Sequence, residues 1–121
     1  MESEVAKRLL DAVVAARRIQ KFTTDLDFGS FSASELVCSA VERQFEIIGE
    51  ALGKAGAADS GLAEKIPALP KIVGLRNRLI HGYDSVDEEI IWDVIQSKIP
   101  PLLRQLEDQL KWAGYPTKCE L

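Results

Sequence analysis

The chain has 121 residues, a hydrophobic fraction of 46%, a charged fraction of 28% and a net charge of −4. That length suits one domain with its own core, and the composition excludes wholesale disorder and, with no apolar run near about 18 residues, a membrane span. The negative balance excludes a general nucleic-acid coat, whose affinity would rest on many phosphate contacts. Cys38 and Cys119 form no CxxC pair, a usage suited to a reducing cytosol. Glu2 and Glu4 stand where a signal peptide would carry its basic region, so the expectation is a cytoplasmic protein.

Val5, Leu9, Ala12, Val13, Ala16, Ile19, Phe22 and Leu26 recur at three- and four-residue steps and predict a first amphipathic helix. Lys7, Arg8, Arg17 and Arg18 lie mainly off that stripe, as a solvated face that could also guide RNA. Asp25 to Ser32, with Gly29 and serines, reads as a loop. A second helix is predicted from about Ser34 to Ala55, with Val37, Val41, Ile48 and Leu52 on one side. Gly53 and Gly56 weaken its end, and Gly56 to Gly61 reads as a loop. Pro67 and Pro70 lead into a third helix, about Lys71 to His81, which Gly82 is placed to cap. A fourth starts near Ser85, whose spacing to Glu88 matches a capping box. Ile90, Ile91, Val94, Ile95, Leu102, Leu103, Leu106 and Leu110 supply its apolar face. Pro100-Pro101 must kink or split it, and a short tail begins at about Gly114. The pattern predicts a single domain over residues 1–121: an all-α, up-and-down bundle of four to five helices.

Chemistry concentrates in Arg76-Asn77-Arg78-Leu79-Ile80-His81-Gly82-Tyr83, which holds the only histidine of the chain. Between Lys65 and Tyr83 there are four basic residues and no acid, and then Asp84, Asp87, Glu88 and Glu89 follow. A local basic patch on an acidic protein fits a focused anion site, and it fits equally a set of arginines paired with a neighbouring helix. At about 100° per residue, Asn77 and His81 share a helix face, Arg78 lies roughly 60° from His81 and Arg76 about 140° away. Ile72, Leu75 and Leu79 take the core side, and Tyr83 lies just past the cap.

Histidine exchanges protons near neutral pH, and arginine offers a planar fork of donors to phosphate. Such a helix end could cleave RNA without metal: one group takes the 2′-hydroxyl proton, another protonates the leaving 5′-oxygen, and arginine stabilises the phosphorane. One histidine cannot be both acid and base at once, so a nuclease of this kind should act as a two-fold homodimer. The same spacing also fits a histidine that only caps the negative end of a helix.

Arg76-x4-His81-x-Tyr83 resembles the RX4HXY motif of HepT-type HEPN toxins, the partners of minimal nucleotidyltransferase (MNT) antitoxins. Arg43-Gln44-Phe45-Glu46-Ile47-Ile48-Gly49-Glu50-Ala51 resembles the second-helix signature of that family. Ile90-Ile91-Trp92 and the proline of the last long helix continue the similarity, which runs from about Val5 to Leu110. The resemblance implies a HEPN bundle whose homodimer places two motif helices along a shared cleft. It implies metal-independent endoribonuclease activity on RNA with no cofactor, Arg76 and His81 being the catalytic pair. Asn77 matches the polar residue that follows the motif arginine. Tyr83 matches the tyrosine that the cognate nucleotidyltransferase modifies with AMP, adding charge and bulk where an RNA phosphate would sit.

Other residues carry two readings each. Glu46 and Glu50, one turn apart, could orient Arg76 or Arg78 from the second helix, or form a solvated acidic face. Asp84, Asp87, Glu88 and Glu89 could take Mg²⁺, but complement the positive end of the last helix more simply. Asp25-Leu26-Asp27 with Gly29-Ser30 holds the parts of a nucleotidyltransferase site in the wrong order and without strands. Cys38 reads as a small buried hydrophobe and Cys119 as a tail residue. Trp92 and Trp112 could stack on bases, but read as packing. Two functions from different classes remain: an endoribonuclease toxin, or a non-catalytic subunit that binds substrate, or offers Tyr83, to a nucleotidyltransferase.

Overall fold

A helix with one apolar stripe is stable only when that stripe is covered, and the stripes read above cover one another. The computed structural model describes residues 2–81 and 87–115, with the backbone alone at 81. Among the described residues there are seven helices and no strand, an all-α bundle. The first is α1, Ser3–Phe22. Thr23 ends it by donating its hydroxyl to the Ile19 carbonyl at 2.8 Å, and Asp25 then turns the chain with φ 63°, a conformation Asp tolerates. Leu26, expected on the α1 stripe, therefore lies off the helix.

The predicted loop at 25–32 contains α2, Phe28–Ser32. Its signal was a capping box: Asp27 accepts from the Ser30 amide at 2.8 Å, and the Ser30 hydroxyl accepts from the Asp27 amide at 3.0 Å. Ser34 accepts from the Val37 amide at 3.1 Å and starts α3, Glu35–Ala58. Neither Gly53 nor Gly56 ends α3 early. Both face the third long helix, Gly53 beside Val73 and Gly56 beside Leu69, and this packing outweighs the helix cost of glycine. The second predicted loop shrinks accordingly, because α4, Leu62–Lys65, follows and buries Leu62.

The motif helix is α5, Leu69–His81. The capping roles expected of Gly82 and Ser85 lie outside the described residues. The next helix, α6, Glu88–Ser97, is capped by Asp87, which accepts from the Glu89 amide at 2.8 Å. Glu88 is thus its first residue and not the far half of a box with Ser85. The prolines split the last helix: Lys98 is a break, and α7, Ile99–Trp112, carries Pro100 and Pro101 in its first turn, where no amide donor is required. The four to five predicted helices become seven because two are single short turns and one prediction divides.

The α1 helix packs along α3, α3 also carries α5, and α7 lies on α1. Leu9, Ile19, Phe31, Phe45, Ile48, Leu52, Ile72, Leu102 and Leu106 are fully buried between them. Trp92 packs as expected, its ring centroid 5.1 Å from Phe31 and 6.5 Å from Phe28. Trp112 does not: at the last position of α7 it has passed the end of the core and is 89% exposed. Ile90, in the first turn of α6, is also exposed. No described helix is long and apolar enough to cross a membrane.

Candidate active site

The site begins with how closely α5 approaches α3. Ile72 and Leu75 are buried, and this anchoring turns Arg76, one residue further, toward α3. Gly49 receives it. A methyl group at Gly49 would overlap Arg76 Cβ, lie 2.6 Å from its Cγ and 3.3 Å from the Ile72 carbonyl. Only a residue without Cβ lets the two helices meet at this point.

The next residue of α3 then binds the arginine. Arg76 Nη2 donates to Glu50 Oε2 at 2.7 Å, and Nη1 donates to Asn77 Oδ1 at 2.9 Å. Lys54, one turn on, holds the other Glu50 oxygen at 3.1 Å. The Lys54 hydrogen bond, and after it that of Arg76, keep the Glu50 carboxyl below its ordinary range. A guanidinium has five N–H donors. Here Nε is buried without a partner, Glu50 and Asn77 take one η proton each, and two η protons remain. The Arg76 side chain is 27% exposed. It is a fixed cation with donors to spare, suited to holding a phosphate oxygen.

The other predicted residues distribute as follows. Glu50 orients Arg76, as one reading of the acidic pair expected. Glu46 makes no ion pair among the described residues, and neither does Arg78, which is exposed. Asn77 touches Arg76 itself. His81 is the last residue of α5, five positions and about 7.5 Å of helix rise beyond Arg76. Tyr83 and Asp84 lie outside the described residues, as does Cys119. Asp87 caps α6 while Glu88 and Glu89 fill its first turn, the helix-dipole reading of the acidic run. Asp27 and Ser30 are occupied in the α2 cap.

Two readings of α1 and α3 need adjustment. Arg17 is not a solvated cation: its Nη2 reaches Glu107 at 2.8 Å and ties α1 to α7. Cys38 is half-buried, and its thiol donates to the Phe31 carbonyl at 3.2 Å. Burial, then the nearby Glu88 and Glu42, push that thiol up and keep it protonated. Glu88 itself accepts from the Ser32 hydroxyl. Beside the Arg76–Glu50 pair, α1, α3 and the end of α5 enclose a groove of about 370 Å³ that Arg18, Arg43, Glu46 and Ile80 help to line. Sequence reasoning missed Gly49 as a site residue. The available signal was a glycine set directly before Glu50 in the middle of an otherwise strong helix.

A bundle that locks an arginine onto a glycine–glutamate step, five residues before the only histidine of the chain, defines the class. The family described as ribonuclease HepT-like matches residues 13–108, and the chain belongs to that family. Among its relatives is a candidate RNase of Methanocaldococcus jannaschii, 33% identical over 106 residues, 86% of this chain and 94% of the relative. A second candidate RNase of the same organism is 31% identical, over 91% of this chain and 90% of its own length. A candidate ribonuclease HepT of Thermococcus cleftensis is 32% identical over 82% of this chain and 89% of its own. No solved structure matches the chain significantly.

Proposed function

We propose that the protein is the toxin of a HEPN/MNT toxin–antitoxin module: a metal-independent endoribonuclease that acts as a homodimer and is silenced by AMP on Tyr83. The whole chain serves as one domain in this reading. The observation that carries it is the clamped Arg76, oriented at 2.7 Å by Glu50 on the helix that ends at His81, in a member of a ribonuclease family. In the proposed reaction His81 removes the proton of an RNA 2′-hydroxyl, whose oxygen attacks the adjacent phosphorus. Arg76 stabilises the phosphorane with its free η donors. His81 of the partner subunit protonates the departing 5′-oxygen, leaving a 2′,3′-cyclic phosphate and a 5′-hydroxyl.

The test is cleavage of single-stranded RNA in excess EDTA. Wild type should yield those two ends, and His81→Ala should be slower by about 10²-fold or more with its helical spectrum unchanged. Equal cleavage by both proteins would end the proposal. For the regulation, co-expression with a cognate nucleotidyltransferase should raise the intact mass by whole AMP units in the wild type and not in Tyr83→Phe.

A further inference from the structure

Because Arg76 takes Glu50, Glu46 is left without the partner its spacing suggested, and it faces the groove between α1, α3 and the end of α5. Three of the six charges along that groove are already matched. Arg8 binds Glu4 at 3.1 Å, Asp11 binds Lys7 at 3.3 Å, and Glu50 holds both Lys54 and Arg76. Among the described residues, three lining charges have no ion-pair partner: Arg18, Arg43 and Glu46. Val14, Ile47 and Ile80 give the groove an apolar wall, and Ile80, 45% exposed, immediately precedes His81.

Two guanidinium groups, one free carboxylate and an apolar wall together fit one kind of ligand. Guanidinium forks bind phosphate oxygens. An apolar wall accepts the face of an unstacked base, as in the recognition of single-stranded RNA. The carboxylate can only accept hydrogen bonds, so it selects a base by its N–H donors. Guanine offers two adjacent donors, N1–H and the 2-amino group, which match the two oxygens of a carboxylate. Uracil offers one N–H between two carbonyls that repel it. A site for phosphate alone has no use for the carboxylate, and an apolar protein contact has none for two unpaired arginines. The volume, about 370 Å³, lies in the range of small-ligand sites.

We propose that this groove binds a guanine nucleotide of the RNA next to the cleaved phosphodiester, with Arg18 and Arg43 on its phosphates and Glu46 on its base edge. The inference rests on the ribonuclease reading and adds the base that the enzyme selects. It is tested by steady-state cleavage of a set of single-stranded oligonucleotides that differ at one position between guanine and uracil. Wild type should prefer guanine by about ten-fold or more in kcat/KM, the discrimination of one good paired contact. Glu46→Gln should bring that ratio close to one. Arg18→Ala/Arg43→Ala should raise KM about ten-fold and flatten the dependence of log binding on log salt by about 0.7 per lost phosphate contact. If wild type cleaves RNA with no base preference, or both variants leave KM and the preference unchanged, the groove proposal falls while the nuclease reading stands. Should Arg18→Glu/Arg43→Glu instead turn a wild-type dimer into monomers, the groove is an interface between copies and the proposal is overturned. A wild type that cuts no RNA removes both.

Discussion

The two sides of α3 solve the same problem by opposite means. It contributes Val41, Phe45, Ile48 and Leu52 to the apolar core, all four fully buried, and packs along α1. Toward α5 it presents Gly49 and Glu50, which receive an arginine. Burial of large apolar side chains is non-directional and contributes roughly 25 cal/mol per Å². Its strength lies in the total area. A glycine contact and a solvent-screened ion pair contribute little to stability, but they fix one guanidinium in place. One helix therefore supplies much of the bundle's core and, at Gly49 and Glu50, fixes the Arg76 guanidinium.

That division can be broken side by side. Phe45→Ala empties the apolar face and should cost about 3–5 kcal/mol in chemical denaturation, with cleavage lost only as the fold is lost. Gly49→Ala forces α5 away from α3 and should cost about 1–3 kcal/mol, yet reduce cleavage by about 10²-fold at temperatures where the protein remains folded, since a displacement near 1 Å suffices. Retained activity in Gly49→Ala would mean that the close approach serves packing alone.

Glu50→Gln sharpens the contrast from the polar side. Stability should change little, since exposed ion pairs are weak, whereas cleavage should fall roughly ten-fold because Arg76 is no longer held by a charge. The same pair predicts a sign for pH. The Glu50 carboxyl lies below its ordinary range in the fold, through Lys54 and then Arg76. Its contribution is therefore complete above the ordinary carboxylate pKa and is lost as pH falls through the lowered value. Acid titration of wild type against Glu50→Gln should show the difference between them disappearing below that point. The smallest effect is expected at Glu42, whose carboxyl is pushed up by burial, then by Glu46 and Glu88. A raised carboxyl favours the fold while protonated and loses that advantage as pH rises through its folded value. Glu42→Gln should thus raise Tm slightly at neutral pH and leave it unchanged in acid. A lower Tm at neutral pH would contradict the burial account.

The helices that were legible are those whose length exceeds several turns. The α1, α3 and α5 stripes repeat often enough for their period to stand out, and their boundaries fell within a few residues. The short α2 and α4 have no period to read; α2 was signalled only by the Asp27–Ser30 box, inside a stretch that a glycine and serines made look like a loop. The exposed Trp112 has a similar cause. Hydrophobic residues continue one turn beyond the core, and nothing local marks where the core stops.

The linear pattern of residues determined that this chain folds into amphipathic helices, that its prolines divide the last of them, and that arginine and histidine share one helix, because each of these follows from local periodicity and backbone chemistry. The partner of Arg76 was decided by the tertiary structure. Glu46 and Glu50 lie one turn apart on α3 and were equivalent candidates. The crossing of α3 and α5 at Gly49 brings Glu50 to the guanidinium and leaves Glu46 facing the groove. A helix crossing is set by how two surfaces pack, so the choice existed only once the two helices met.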